Sequence, residues 1–178
     1  IGCATAKTDI EESSITNGLI KSIGTRAGGF VGCGQNDIII KKSNIDTIVV
    51  SSTKAYSGGF VGAANGYFDI NNTGLLADSM ITSSESDAGG VVGHAKSGVN
   101  ITNTKVIGSN TEIIAKSGNS NAGGLIGGFE SGLLTINNST ASVFVRAESG
   151  NAGGLIAFIN GLTYGSKIEN SYYGGRTI

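Results

Sequence analysis

Side chains that could perform chemistry are few in this chain of 178 residues, which contains two cysteines, one histidine and thirteen acidic residues. A structural zinc site takes more cysteine and histidine ligands than Cys3, Cys33 and His94 supply. Neither a Gly-x-Ser-x-Gly nucleophile elbow nor a Walker sequence occurs. The acidic residues are scattered rather than paired as glycoside hydrolysis requires. The sequence therefore favours a protein that is not an enzyme, has no metal or cofactor, and uses His94 as a structural or surface residue.

The amino-acid composition limits the kinds of partner that the sequence predicts. Charged residues make up 14% of the chain and the net charge is −1, so the sequence predicts neither nucleic-acid binding nor attraction to an anionic membrane. No apolar run is long enough for a transmembrane helix, and we expect no membrane insertion. Thirty glycines, no proline and many Ile, Val, Thr, Ser and Asn residues are typical of strands joined by tight turns.

A six-residue glycine motif recurs through the chain, and the other sequence features follow it at regular distances. It has the form Ala/Ser-Gly-Gly, two apolar residues, then Gly or Ala, and Ile1-Gly2-Cys3 resembles the end of a further copy. The five complete copies are Ala27–Gly32, Ser57–Gly62, Ala88–Gly93, Ala122–Gly127 and Ala152–Ala157. They begin 30, 31, 34 and 30 residues apart, and a period of this size indicates a repeat architecture.

A second motif follows each glycine motif: an isoleucine, two polar residues, then Ser or Thr. Its isoleucines are Ile10, Ile40, Ile70, Ile101, Ile136 and Ile168. Each period thus contains three or four short strands separated by polar corners, which predicts an all-β, right-handed parallel β-helix (β-solenoid) of about six coils. We expect one array over residues 1–178, with repeats near 1–26, 27–56, 57–87, 88–121, 122–151 and 152–178. The periods are too short for the blades of a β-propeller.

Stacking the repeats places equivalent residues in columns. Cys3 and Cys33 become neighbours, as a cross-coil disulfide or as two buried thiols. Glu11 and Glu12 are expected beside Lys41 and Lys42. The third residue of the isoleucine motif is asparagine in four coils, and these residues are predicted to form a structural ladder of hydrogen-bonded amides: Asn72, Asn103, Asn138 and Asn170.

Four asparagines begin Asn-x-Ser/Thr sequons and are candidate glycosylation sites: Asn71, Asn100, Asn137 and Asn138. Such sequences also arise by chance in an Asn- and Thr-rich chain. Asn71 and Asn137 share one column beside the inward isoleucines, which predicts that both point to solvent.

The two motifs together resemble the GLUG motif of bacterial and protist surface proteins. The most similar stretch is Ile168–Gly174, which has the family's Ile-x-Asn-Ser-Tyr form. Glu12 and Lys42 depart from the family's asparagine. The resemblance implies a large secreted or cell-surface β-solenoid, often adhesin-like, without catalytic residues.

These observations predict an extracellular or cell-surface structural protein, a segment of a fibre, stalk or adhesin. We expect its partners to be copies of itself stacked end to end, or further repeats of a longer chain, because the first and last coils have no polar caps. The alternative is a β-helix that binds or processes carbohydrate and contacts surface glycans. An aromatic platform would favour that alternative, but the five tyrosines share no obvious column.

Overall fold

The computed structural model describes residues 1–178, which form one parallel β-solenoid. The predicted all-β repeat architecture is confirmed, because equivalent strands of successive coils pair in parallel and in the register of the repeat. We number the coils 1 to 6 after the repeat ranges given above. No segment of the chain forms a helix that could span a membrane.

Most strands are short, apart from the 17-residue strand β14, and they follow one another around the solenoid. Coils 1 and 2 contain β1 (Cys3–Ala4), β2 (Thr8–Glu11), β3 (Ser14–Ser22), β4 (Ala27–Gly28), β5 (Val31–Gly34), β6 (Ile38–Lys41) and β7 (Asn44–Ser52). Coils 3 and 4 contain β8 (Ser57–Gly58), β9 (Val61–Ala64), β10 (Phe68–Leu75), β11 (Met80–Ser83), β12 (Ala88–Gly89), β13 (Val92–Ala95) and β14 (Val99–Ala115). Coils 5 and 6 contain β15 (Ala122–Gly123), β16 (Ile126–Phe129), β17 (Leu134–Asn137), β18 (Thr140–Ala147), β19 (Ala152–Gly153), β20 (Ile156–Ile159), β21 (Lys167–Glu169), β22 (Tyr172–Tyr173) and β23 (Arg176–Thr177).

Three sheets run the length of the stack. One consists of β1, β5, β9, β13, β16 and β20 in that order, and one of the two-residue strands β4, β8, β12, β15 and β19. The third has twelve strands, because β10 and β14 each continue around a corner and join two faces. A single hydrophobic core lies between the sheets, and the predicted column of Ile70, Ile101 and Ile136 is completely buried within it.

The isoleucine motif forms a sharp corner whose third residue has a left-handed backbone in all six coils. The φ angles are 49° at Glu12, 48° at Lys42, and 51°, 49°, 53° and 48° at the four ladder asparagines. Asparagine tolerates this conformation better than most residues, because its short polar side chain can bond locally. The recurrence of asparagine at this corner therefore follows first from backbone geometry.

The Ser or Thr that follows this residue turns inward and satisfies the backbone of the corner. In coil 5 the buried hydroxyl of Ser139 donates to the carbonyl of Asn137 at 2.8 Å and accepts from the backbone N–H of Thr104 at 3.1 Å. Ser43 and Ser171 make the same pair of contacts in coils 2 and 6. A hydroxyl is required because a buried, unpaired backbone group costs about 1–3 kcal/mol.

Candidate functional site

The residue after each glycine motif belongs to one column of the six-stranded sheet, which we call the motif column. Its members are Cys3, Cys33, Ala63, His94, Gly128 and Phe158. The next residue along each strand, such as Ala64 or Phe129, packs into the core instead. The motif column therefore lies beside the core and faces the corner that precedes the glycine motif.

Cys3 and Cys33 pair in register and form a disulfide, with a Cα–Cα distance of 4.5 Å. The chain has no free cysteine in this structure, so the alternative of two buried thiols does not apply here. The bond ties coil 1 to coil 2, and a disulfide closing a loop of this length typically stabilises a protein by about 2–4 kcal/mol.

His94 lies between two carboxylates contributed by neighbouring coils. Its Nδ1 is 2.7 Å from Asp87 Oδ2 and its Nε2 is 2.8 Å from Glu130 Oε1. The His94 and Asp87 side chains are almost completely buried, whereas the Glu130 side chain is 42% exposed. Gly128 leaves room for this cluster, since a Cβ there would collide with Asp87 Oδ2.

Burial alone lowers the pKa of His94, but hydrogen bonds and charge attraction from Asp87 and Glu130 outweigh it, and the His94 pKa is raised. The other oxygen of Asp87 accepts the backbone N–H of Asn121 at 2.9 Å and its side-chain amide at 2.8 Å. Asp87 is thus held by three hydrogen bonds. The arrangement suits an imidazolium ion bridging two carboxylates.

A second column, the corner ladder, extends this cluster along the axis. It consists of the residues immediately before the glycine motifs: Arg26, Tyr56, Asp87, Asn121 and Asn151. The Tyr56 ring stacks on His94 with centroids 4.3 Å apart, and the Arg26 guanidinium lies 6.0 Å from the Tyr56 centroid. Asn151 donates to Asn121 at 2.7 Å. One polar strip thus joins residues of coils 1 to 5.

The strip links side chains of successive coils through hydrogen bonds and ring stacking. Both ring nitrogens of His94 are occupied by carboxylates, so neither is free to accept a proton from a nucleophile. No Ser, Thr or Cys hydroxyl or thiol hydrogen-bonds to His94. No group of three or more His, Cys, Asp or Glu side chains is arranged to hold a metal ion.

The raised pKa of His94 predicts that its contribution to stability depends on pH. The contribution is complete below the unfolded-state pKa of about 6.5 and is lost as the pH rises through the folded-state value. Thermal unfolding between about pH 6 and pH 9 should show the wild type losing stability on the alkaline side. The titratable groups facing His94 are Asp87, Glu130 and Tyr56, and burial raises the Tyr56 pKa, which keeps that ring neutral.

The matched control is His94→Gln, which replaces the imidazole with a polar side-chain amide that cannot titrate. Its melting temperature should be lower than that of the wild type near pH 6, and the difference should shrink as the pH rises. A constant difference across this range would contradict the bridging imidazolium.

The predicted amide ladder is only partly hydrogen-bonded. Asn138 Nδ2 donates to Asn103 Oδ1 at 2.9 Å, but Asn170 Nδ2 donates to Asn137 Oδ1 at 3.4 Å, and Asn72 makes no such bond. In the first two coils Lys42 Nζ lies 3.1 Å from carboxylate oxygens of both Glu11 and Glu12. The shared left-handed corner, and not an unbroken chain of amide bonds, is common to the whole column.

Three of the four sequon asparagines are half-buried, and only Asn138 is exposed. Asn71 and Asn137 lie on the outer side of the strand but are only half-exposed, and Asn71 Oδ1 is buried without a hydrogen-bond partner. Asn100 Nδ2 donates to Asp69 Oδ1 at 2.7 Å, and Asn138 Nδ2 is bonded to Asn103. At Asn100 and Asn138, the nitrogen that a glycan would modify is engaged in a cross-coil bond.

The sequence predicted a structural or surface role for His94 but did not indicate its partners Asp87 and Glu130. The position of Asp87 immediately before a glycine motif was a readable signal, because every residue of the corner ladder occupies that place. Comparison with known proteins adds nothing to this picture: no protein-family model, no curated protein and no solved structure matches the chain.

Proposed function

We propose that this chain is a rigid segment of an extracellular or cell-surface fibre, stalk or adhesin. The observation that carries the proposal is the parallel register that continues through all six coils, from Ile10–Ile40 to Ile136–Ile168. Bending such a stack requires breaking backbone hydrogen bonds between coils, so the fold resists bending. The Cys3–Cys33 disulfide supports an oxidising, extracellular location.

Both end faces of the stack expose residues that are buried in the inner coils. Ile168 is 48% exposed, whereas its column neighbours Ile101 and Ile136 are completely buried. In coil 1, Ile10, Ile15 and Ile20 are half-exposed. Exposed core positions beside unpaired strand edges favour further stacking. The proposal therefore includes end-to-end contact with another copy or with further repeats.

The columns specify how two copies would meet if the register continued. Ile168 of one copy would lie against Ile10 of the next, and Lys167 beside Asp9, since these pairs share columns. Glu169 would face Glu11, which opposes contact. Cross-strand pairs of opposite charge stabilise by about 0.2–1 kcal/mol and like charges destabilise. The apolar contact dominates this interface, and its strength responds to the charge at position 169.

The test is the size and shape of the particles that the protein forms. Sedimentation of the purified chain at increasing concentration should reveal assemblies of several chains, and electron microscopy should show them growing along one axis. Electron microscopy of the native material, labelled with an antibody to this segment, should place it on filaments or stalks outside the cell.

Two variants make the assembly test specific. Ile168→Glu places a charge on the apolar end face and should abolish assembly, whereas Glu169→Lys removes a like-charge contact and should strengthen it. A wild-type chain that stays monomeric at every concentration, together with native labelling inside cells, would refute the proposal.

A further inference from the structure

One corner of the solenoid differs sharply between coils 4 and 5. Ile107 and Glu112 are five residues apart in coil 4, whereas their partners Ser142 and Phe144 are two residues apart in coil 5. The corner after Ile107 is therefore three residues longer in coil 4 than in coil 5, and it forms a bulge that lines one cavity together with residues of coils 5 and 6. In repeat proteins, insertions into single repeats lie on one face, which is often the binding face.

Cross-coil contacts hold this bulge in one conformation. Asn110 is bound at two points by Asp78 of coil 3: its backbone N–H lies 3.1 Å from Oδ1 and its side-chain amide 2.7 Å from Oδ2. Thr111 is completely buried, donates to the Ala77 carbonyl at 3.0 Å and accepts from the Ser79 N–H at 3.2 Å. These hydrogen bonds therefore hold the bulge in a fixed position against coil 3.

Below the bulge lies an open notch of about 530 Å³. One column crosses it, with Glu112 in coil 4, Phe144 in coil 5 and Arg176 in coil 6. Ser142 lies beside Phe144, and the backbone of Gly174 and Gly175 forms the coil 6 side. No side chain from these glycines fills the space, and the Arg176 guanidinium lies 6.0 Å from the Phe144 ring centroid.

Asn110 is bonded to Asp78, but three other polar side chains that line the notch make no such bonds. The Glu112 carboxylate, the Arg176 guanidinium and the Ser142 hydroxyl make no ion pair and no side-chain hydrogen bond, whereas Lys167 is paired with Glu169 at 2.9 Å. An acceptor, a donor and a hydroxyl that can do both thus surround a half-exposed aromatic ring. A ligand for this site must donate, accept and also present an apolar surface.

We propose that this notch binds a short neutral oligosaccharide built from hexose rings. Sugar hydroxyls can donate to Glu112 and Ser142 and accept from Arg176, and the C–H face of a sugar ring can pack on Phe144. Glu112 and Arg176 are two coils apart, about 10 Å, which two linked rings can span. The proposal depends on the fold and the bulge alone, and not on the extracellular location or on end-to-end assembly.

Other ligand classes fit this chemistry less well. Nucleic acid would be repelled by Glu112 and attracted by a single arginine only. An extended peptide would add to the free edge of β23, where it would lie one strand beyond Arg176 and away from Phe144 and Glu112. A largely apolar small molecule prefers an enclosed hydrophobic pocket, and only two of the ten lining residues here are hydrophobic.

The test is titration of the full chain with cellotriose, maltotriose and chitotriose, followed by calorimetry and by NMR amide shifts. We expect at least one trisaccharide to bind, with shifts concentrated at Gly108, Ser142 and Gly174. Phe144→Ala and Glu112→Gln should each weaken this binding about tenfold or more.

The matched control is Met80→Ala, which removes a 44% exposed side chain from the same column two coils away from Phe144. Its affinity should equal that of the wild type, and circular dichroism should show all variants folded. The proposal is overturned if none of the three trisaccharides binds, if the shifts lie elsewhere, or if Phe144→Ala and Met80→Ala bind alike.

Discussion

Gly90→Ala is expected to lower the free energy of unfolding by about 3 kcal/mol or more, a large effect for the addition of one methyl group. Gly90 is the second glycine of the motif in coil 4. A Cβ there would lie 2.7 Å from Val106 Cγ1 and 3.0 Å from Ile113 Cδ1, and it would collide with the carbonyl oxygen of Gly124 in the next coil.

The atom that blocks a Cβ at Gly90 most closely is the backbone oxygen of Gly124, which cannot move without disturbing the stacking of the coils. The Gly90 N–H donates to the Gly123 carbonyl at 3.2 Å, and the Gly124 N–H donates to the Gly153 carbonyl at 3.1 Å, so three successive coils are linked here. Relief of the collision must therefore separate coils 4 and 5 and weaken these bonds.

Gly118→Ala is the matched control for urea unfolding. Gly118 lies in a corner where the nearest atom to an added Cβ is Ser149 Oγ at 3.8 Å, so its free energy of unfolding should change by no more than about 0.5 kcal/mol. If the two variants were equally stable, the glycine pairs would not be needed for close approach of the backbone.

Ile101→Ala should lower the free energy of unfolding by about 2–5 kcal/mol, because it removes a completely buried side chain from the middle of the isoleucine column. Ile70 lies on one side of Ile101 and Ile136 on the other. The paired backbones of three coils prevent the cavity from collapsing completely, so most of the lost packing is not recovered.

Ile39→Ala makes the same chemical change in the outward-facing neighbour of Ile40. Ile39 is half-exposed, and its truncation should cost about 1 kcal/mol or less. Urea unfolding of both variants provides the measurement. A loss below about 0.5 kcal/mol for Ile101→Ala would show that the column does not form the core.

The column of ladder asparagines was predicted correctly, but the physical reason for it differs from the one expected. Their recurrence at one place in the repeat predicted the column correctly, and amide bonding was the expected reason. The structure instead gives all six corner residues a left-handed φ, including Glu12 and Lys42, which cannot form amide ladders. Asparagine suits both roles, so residue identity alone could not separate them.

The amino-acid sequence by itself determined the period, the columns and the buried isoleucines, as well as the proximity of Cys3 and Cys33. It could do so because parallel hydrogen bonding between coils forces residues one period apart to lie side by side. Once the motifs are aligned, each column follows without knowledge of any side-chain contact.

Only the tertiary structure decided what happens at the corners. The fourth repeat is visibly longer in the sequence, but the bulge that lines the notch depends on how its extra residues are divided between two corners and anchored by Asp78. The bridge from Asp87 through His94 to Glu130 joins three coils through side-chain directions. The backbone hydrogen bonds between coils do not fix the length of a corner or the direction of a side chain. Local packing determines both, and the period of the repeat therefore does not predict them.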